Sequence, residues 1–106
     1  MASNSRIRYD TRMTVRKLRN DEWDAVAKLI HSSTNSWYEG NLNRSIFPPD
    51  DPASCLIFPE TYEALDPGCC LVAEDEATGE LMGSCFYHPR ETHVSLGIMN
   101  AHTAFA

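Results

Sequence analysis

The stretch LVAEDEATGELMG, residues 71–83, decides the fold that the sequence predicts. It joins a short apolar run, CCLVAED at 69–75, to a second β-rich run, ELMGSCFYH at 80–88, through an acidic turn. Gly79 is the residue type that a left-handed turn position favours. Two such runs joined by so short a connection predict a β-hairpin.

A third strand is predicted directly after the hairpin. Pro89-Arg90-Glu91 has the composition of a turn, and THVSLGIMN at 92–100 follows it. Its apolar residues fall at both even-numbered and odd-numbered positions, so they would point to both faces of the sheet, as in a strand buried on both sides. They are Val94, Leu96, Ile98 and Met99. The second half of the chain therefore predicts an antiparallel meander.

The first half of the chain begins with a strand and a helix. MTVRKLR at 13–19 predicts a strand anchored in the core by Val15 and Leu18. A helix is expected over 21–32, because Asn20 is a good N-cap and the first turn is acidic. Apolar residues also recur there at i, i+3, i+4 and i+7, namely Trp23, Val26, Ala27 and Ile30.

A long loop and a second helix are expected next. Residues 32–52 are polar and lose the helical period, which predicts a loop. A short turn over 52–57 then leads into a helix that carries Pro59 in its first turn and stops at Asp66-Pro67-Gly68. The residues of this helix expected to face inward are Tyr62 and Leu65.

These elements predict one α/β domain in the order β-α-α-β-β-β, over residues 13–106, after a flexible lead-in at 1–12. A length of 106 residues fits a single domain with one core. The apolar share of 42% and the charged share of 23% are ordinary for globular proteins.

Charge and hydropathy restrict the partners. A net charge of -6 offers no basic field for nucleic acid, so no nucleic-acid partner is expected. The basic residues near the front are interpreted as a solvated face, with an RNA or anionic-ligand contact as the alternative; they are Arg6, Arg8, Arg12, Arg16, Lys17 and Arg19. With no membrane-length apolar run and no signal peptide, we expect a cytoplasmic protein without membrane contact.

A metal site and a substrate pocket are the two kinds of site to consider in this sequence. A metal site is not expected, because the spacing of the nearby thiol and imidazole groups matches no ligand pattern and strand residues alternate faces; these are Cys85, His88, His93 and His102. Trp37 and Tyr38 stand out in the polar segment. They either line a substrate pocket or cap the core from outside.

Taken together, these segments resemble the N-terminal half of the GNAT family of N-acetyltransferases. The family's hairpin pattern V-A-E-D-x-x-T-G-x-L-x-G is nearly intact from Leu71 to Gly83. VRKLRNDEWDAVAKLI resembles the family's first strand and acidic helix start, and HVSLGIMNAHTAF its fourth strand, with Ala101 and Thr103 where the family has Val and Pro. The resemblance spans about residues 13–106.

The resemblance implies transfer of an acetyl group from acetyl-coenzyme A to an amine of a small molecule or a protein. In the family a bulge in strand four turns backbone groups toward the coenzyme, and those positions here are Met99, Asn100 and Ala101. The pyrophosphate-binding loop follows that strand in the family, whereas this chain ends at Ala106. An incomplete acyltransferase domain is therefore expected.

Other roles are not carried by a family motif. His93 and Glu91 are the catalytic candidates for accepting the amine proton, because they lie on strand four and at its start. Tyr87 and His88, together with Trp37 and Tyr38, are the candidates for lining the acceptor site. A small, cationic acceptor is the hypothesis that two aromatic rings suggest.

Two alternatives stay open at the level of sequence. One is a non-catalytic GNAT-like fragment that forms a homodimer or binds a partner through an exposed strand, Thr92 to Asn100. The other is a small acidic domain unrelated to acyl transfer.

Overall fold

The computed structural model describes residues 12–104. The predicted lead-in therefore lies outside the described residues, apart from Arg12. The elements confirm the predicted order and are β1 (Met13–Lys17), α1 (Trp23–Leu42), α2 (Ile57–Leu65), β2 (Cys70–Asp75), β3 (Leu81–Pro89) and β4 (Val94–Ala101). Single 3-10 segments precede the two helices, at Asn20–Glu22 and Pro52–Leu56.

The four strands form one antiparallel sheet in the order β1-β2-β3-β4. The predicted hairpin is confirmed, with Ala73 opposite Gly83. Gly79 has a φ of +76° and donates its backbone N–H to the carbonyl of Asp75 at 2.7 Å. The predicted α/β fold class, with an antiparallel meander, is thus confirmed.

Both helices pack on one face of the sheet and enclose the core. The predicted helix anchors Val26, Ala27 and Ile30 are each at most 1% exposed, and Leu18 is buried as expected. They pack with Leu29 of the same helix and with residues from the sheet and from the segment before α2, namely Cys55, Cys70, Val72, Leu81 and Phe86. Burial raises the pKa of the Cys70 thiol to about 12, so this thiol is not a nucleophile.

Helix α1 is longer than predicted, and the expected loop over 32–52 is wrong for its first eleven residues. The buried face continues beyond Ala27 through His31 and Asn35, at the same four-residue spacing but with polar side chains. Their polar groups are satisfied by the connection after the helix, because His31 Nε2 lies 2.8 Å from the carbonyl of Pro48. The pattern of apolar residues alone therefore missed a helix face that is buried but polar.

The face of the sheet opposite the helices is exposed among residues 12–104, which corrects two predictions. Strand β4 is not buried on both faces: Leu96 is 65% and Met99 62% exposed. Val15 is 68% exposed, since it points to the face that carries no helix. Leu65, at the end of α2, is also exposed, whereas Tyr62 packs against the core as expected.

Arg16 corrects the interpretation of a wholly solvated basic face. Its guanidinium donates to both carboxylate oxygens of Glu22, at 2.8 and 2.6 Å, and to Glu74 at 2.7 and 2.9 Å. The hydrogen bonds from Arg16 lower the pKa of Glu22. Arg16 thereby ties β1 to β2 and to the 3-10 turn before α1.

Candidate functional site

A groove of about 520 Å³ lies between the C-terminal half of α1 and the end of β4. Helix and strand supply its two walls, and the chain after β4 completes it. The lining residues are Ser33, Thr34, Ser36, Trp37, Tyr38, Met99, Asn100, Ala101 and Thr103. The volume is within the range of small-molecule sites in proteins.

The aromatic wall of the groove comes from the part of α1 that the sequence did not predict as helix. Trp37 and Tyr38 pack edge to face, with ring centroids 5.0 Å apart. Trp37 is 56% exposed. The structure thus brings two of the four predicted substrate residues to the same groove as the predicted coenzyme positions, Met99, Asn100 and Ala101.

Asn100 ties the two walls together. Its side-chain amide donates to the hydroxyl of Ser33 at 2.6 Å and to that of Thr34 at 3.2 Å. These two hydroxyl residues were missed at the level of sequence, because they were assigned to a loop. An extended α1 would have placed them one turn before Trp37 and Tyr38, on the same face of the helix.

Strand β4 carries a bulge next to the groove. Cys85 pairs with Met99 and Tyr87 pairs with Leu96, so that the single residue Phe86 faces two residues, Gly97 and Ile98. An extra residue in one strand bends it and interrupts the hydrogen-bond ladder. Since β4 is also an edge of the described sheet, its outer backbone groups are available to a ligand that lies alongside it.

The lining of the groove is electrically neutral. None of the nine residues that line it is charged, and it combines hydroxyl and amide groups with an indole, a phenol and a thioether. Such a lining suits an uncharged, extended ligand arm with amide groups better than a phosphate. The residues present therefore fit the pantetheine arm and thioester of acetyl-coenzyme A.

The structure does not bring the two catalytic candidates to the groove. Glu91 and His93 are exposed in the turn between β3 and β4, where the carbonyl of His93 accepts the backbone N–H of Arg90 at 2.8 Å. At 3.3 Å per residue, this turn lies about 20 Å along the strand from Asn100. Their role as a base stays a prediction.

Tyr87 and His88 point to opposite faces of the sheet, as adjacent strand residues do. Tyr87 pairs with Leu96 on the exposed face. His88 lies on the helical face, where its ring centroid is 5.2 Å from that of Tyr62. The two residues therefore cannot line one acceptor site together, and only His88 shares a face with the core beside the bulge.

Within residues 12–104, no three His, Cys, Asp or Glu side chains lie together in a way that could hold a metal ion. Neither described helix is both long enough and apolar enough to cross a bilayer.

Comparison with known proteins shows similarity at the level of fold. No family model matches the sequence, and no curated protein matches it either. Among solved structures, a candidate acetyltransferase from Pyrococcus horikoshii has a TM-score of 0.62 and 19% identity, over 88% of this chain and 28% of its own. A GNAT family acetyltransferase from Brucella melitensis, in complex with acetyl-CoA, has a TM-score of 0.51 and 20% identity, over 89% and 57%.

A possible acetyltransferase from Clostridium difficile 630 is similar as well, with a TM-score of 0.53 and 11% identity over 88% of this chain and 59% of its own. The chain thus spans between 28% and 59% of the length of these three structures. At such identities the similarity shows the fold alone, and that fold is GNAT-like.

Proposed function

We propose that this chain, whose fold is GNAT-like, transfers an acetyl group from acetyl-coenzyme A to an amine. The observation that carries the proposal is the single groove in which Trp37 and Tyr38 face Met99, Asn100 and Ala101. The bulge at Gly97 and Ile98, beside that groove, supports it further.

In the proposed reaction the pantetheine arm lies along the outer edge of β4, with the thioester next to the bulge. The amine nitrogen attacks the thioester carbonyl carbon, the oxygen becomes an oxyanion, and the C–S bond then breaks. A backbone N–H of β4 that points at the developing oxyanion would stabilise it, and such donors are worth about 3–4 kcal/mol each where they have been removed. The hydrogen bond from Asn100 to Ser33 holds the two walls of the groove together, and this keeps the thioester and the amine aligned.

Calorimetric titration with acetyl-coenzyme A and with acetyl-pantetheine tests the binding step. Because the groove is neutral, we expect acetyl-pantetheine to bind as well, although it lacks the nucleotide. Trp37→Ala should weaken binding, whereas Leu42→Ala, at a similarly exposed position of the same helix but outside the groove, should not. No heat at millimolar concentrations of either ligand would rule out the acyl-transfer proposal.

The acceptor is tested with a panel of amines and detection of the free thiol. We include spermidine, lysine methyl ester, glycine and glutamate, and expect preference for the cationic amines because Trp37 presents an open ring face. A preference for glutamate would contradict the cationic-acceptor hypothesis and leave acyl transfer itself intact.

A second candidate function, partner binding through the sheet edge, is supported by a separate observation. Strand β4 is an edge of the described sheet, and Val94 and Leu96 on it are 59% and 65% exposed. If two copies pair there, light scattering should show a mass that rises with concentration and falls in Leu96→Lys. Leu65→Lys, which alters an equally exposed leucine on α2, should leave the dimer unchanged. A constant monomer mass would contradict self-pairing.

A further inference from the structure

His88 and Asp66 form an imidazole–carboxylate pair that the groove residues do not include. His88 Nδ1 lies 2.6 Å from Asp66 Oδ2, and both side chains are only 14% exposed. Arg90 donates to Asp66 at 2.9 and 3.3 Å and so holds the carboxylate from its other side. Because Arg90, and then His88, hydrogen-bond to it, Asp66 has a pKa below its ordinary value.

The pairing decides which imidazole nitrogen is available. An ionised carboxylate can only accept hydrogen bonds, so Nδ1 carries a proton and donates it in the hydrogen bond to Asp66. In the neutral ring, Nε2 then has a free lone pair that can accept a proton. Among residues 12–104, Nε2 has no hydrogen-bond partner, and a Cβ built on Gly97 would stand 2.9 Å from it. The free nitrogen therefore lies over the first residue of the β4 bulge.

Only glycine at position 97 leaves room for this arrangement. The same Cβ would also come within 3.3 Å of Phe86 Cβ, so both contacts are tighter than ordinary packing. The charged or titratable groups that face the ring are Asp66, Arg90 and Tyr62, while the facing part of β4, Ser95 and Gly97, carries no charge. The carboxylate of Asp66, the imidazole of His88 and the bulge of β4 thus lie next to one another in that order.

We propose that His88 is the base that accepts the proton of the acceptor amine, and that Asp66 positions it. The inference rests on the proposed acyl transfer and names a proton acceptor for it. His88 is favoured over His93 because Asp66 orients its ring and its free nitrogen lies at the bulge, whereas His93 is exposed in the turn.

In the proposed step the imidazole of His88 deprotonates the acceptor before the C–N bond forms. Nε2 takes one proton from the ammonium form of the acceptor, and the freed lone pair forms the C–N bond to the thioester carbonyl carbon. When the tetrahedral intermediate collapses, the C–S bond breaks and its electron pair leaves on the coenzyme thiolate. The thiolate then takes a second proton from the nitrogen, which keeps its third proton as the amide N–H, and the imidazolium gives its proton to solvent. The products are the N-acetyl amine and the free thiol of coenzyme A.

The test compares His88→Gln and Asp66→Asn with the wild-type chain, using acetyl-coenzyme A and the most active amine of the panel. We expect His88→Gln to lower kcat by about 100-fold at pH 7.5, the lower end of general-base effects, with little change in KM for acetyl-coenzyme A. The deficit should shrink toward pH 10, where a free amine, with a pKa of about 10, loses its proton without help. Asp66→Asn should show a smaller loss with the same pH dependence.

His102→Gln is the matched control. It removes another imidazole that lies near a carboxylate, 3.2 Å from Glu80, outside the lining of the groove. We expect its turnover to equal that of the wild-type chain. Thermal unfolding of all variants shows whether a loss of turnover reflects a loss of fold.

The failures of the two proposals differ. A wild-type chain that binds neither ligand and releases no thiol contradicts acyl transfer, and the role of His88 with it. A chain that turns over while folded His88→Gln keeps full kcat across pH 6 to 9 contradicts His88 alone. Loss of turnover in His93→Gln with retention in His88→Gln would give the role to His93. Independently of turnover, a long-range ¹H–¹⁵N spectrum at pH 8 in which Nε2 carries the proton would overturn the assignment.

Discussion

The side-chain amide of Asn100 donates a hydrogen bond of 2.6 Å to the hydroxyl of Ser33, and this contact links the end of β4 to the middle of α1. The two residues are 67 positions apart in sequence. They form part of both walls of the groove, so the separation of its walls depends on this hydrogen bond.

Asn100→Ala should therefore loosen the groove more than it weakens the fold. The substitution removes the hydrogen bonds to Ser33 and to Thr34, each worth about 1 kcal/mol. The loss of one would correspond to roughly a fivefold loss of acetyl-coenzyme A affinity if binding carried all of it. Urea unfolding and calorimetry measure the two effects separately. Thr92→Ala, in the exposed turn before β4, is the control and should change neither quantity.

Asn35→Ala should destabilise the fold by about 2–3 kcal/mol, because it leaves several backbone groups without a partner. Asn35 is 5% exposed. Its side-chain oxygen accepts hydrogen bonds from the backbone N–H groups of Ile46 and Phe47, at 3.0 and 2.9 Å, and its side-chain NH₂ donates to the backbone carbonyl of Phe47. Urea unfolding measures the change. Asn41→Ala, which alters an exposed asparagine of the same helix, should cost far less, and equal losses in both would contradict the role of Asn35.

Gly97→Ala and Gly40→Ala should move stability in opposite directions. A Cβ at Gly97 meets His88 and Phe86 at 2.9 and 3.3 Å, and overpacking of this kind costs about 1–3 kcal/mol. A Cβ at Gly40, within α1, meets nothing within 4 Å, so alanine there should add up to about 1 kcal/mol through helix propensity. Thermal unfolding tests both, and a neutral Gly97→Ala would show that the bulge has room to spare.

Glu22→Gln should reduce the dependence of stability on acid pH. Hydrogen bonds from Arg16 lower the pKa of Glu22 from 4.5 in the folded state. Because the folded value lies below the unfolded one, the ion pair adds stability above about pH 4.5, and that contribution is lost as the pH falls through the folded value. The unfolding free energy of the wild-type chain should thus fall more steeply between pH 5 and pH 3 than that of the variant.

Asp21→Asn is the control for the acid series. Asp21 is exposed in the same 3-10 turn but has no hydrogen bond to Arg16. Its slope should match that of the wild-type chain. Equal slopes for Glu22→Gln and the wild-type chain would show that the Arg16 pair does not control acid stability.

Local chemistry explains which predictions succeeded. The hairpin followed from Gly79 and the short acidic turn, because a left-handed position needs a particular residue type wherever it occurs. The stop of α2 followed from Pro67 and Gly68 in the same way. Asn20 was expected to cap α1, but it lies inside the 3-10 turn Asn20–Glu22, and Glu22 is the N-cap of the helix. The site differs, since Trp37 and Met99 were named as candidates from sequence but their shared groove depends on contacts across the chain.

The errors have one physical origin, which is burial by distant parts of the chain. His31 and Asn35 occupy core positions although they are polar, because backbone groups of the following connection satisfy them. Leu96 and Met99 are apolar but exposed, because no described element covers that face of the sheet. Residue type alone predicts burial only where no such contact intervenes.

The sequence by itself determined the order of the elements, the hairpin of β2 and β3 and the approximate start of each helix, since these depend on residues a few positions apart. The tertiary structure alone decided that α1 reaches Leu42, that the groove forms against β4, and that His88 meets Asp66. The last two contacts join residues 22 or more positions apart, and their side-chain directions are set by packing of the whole domain.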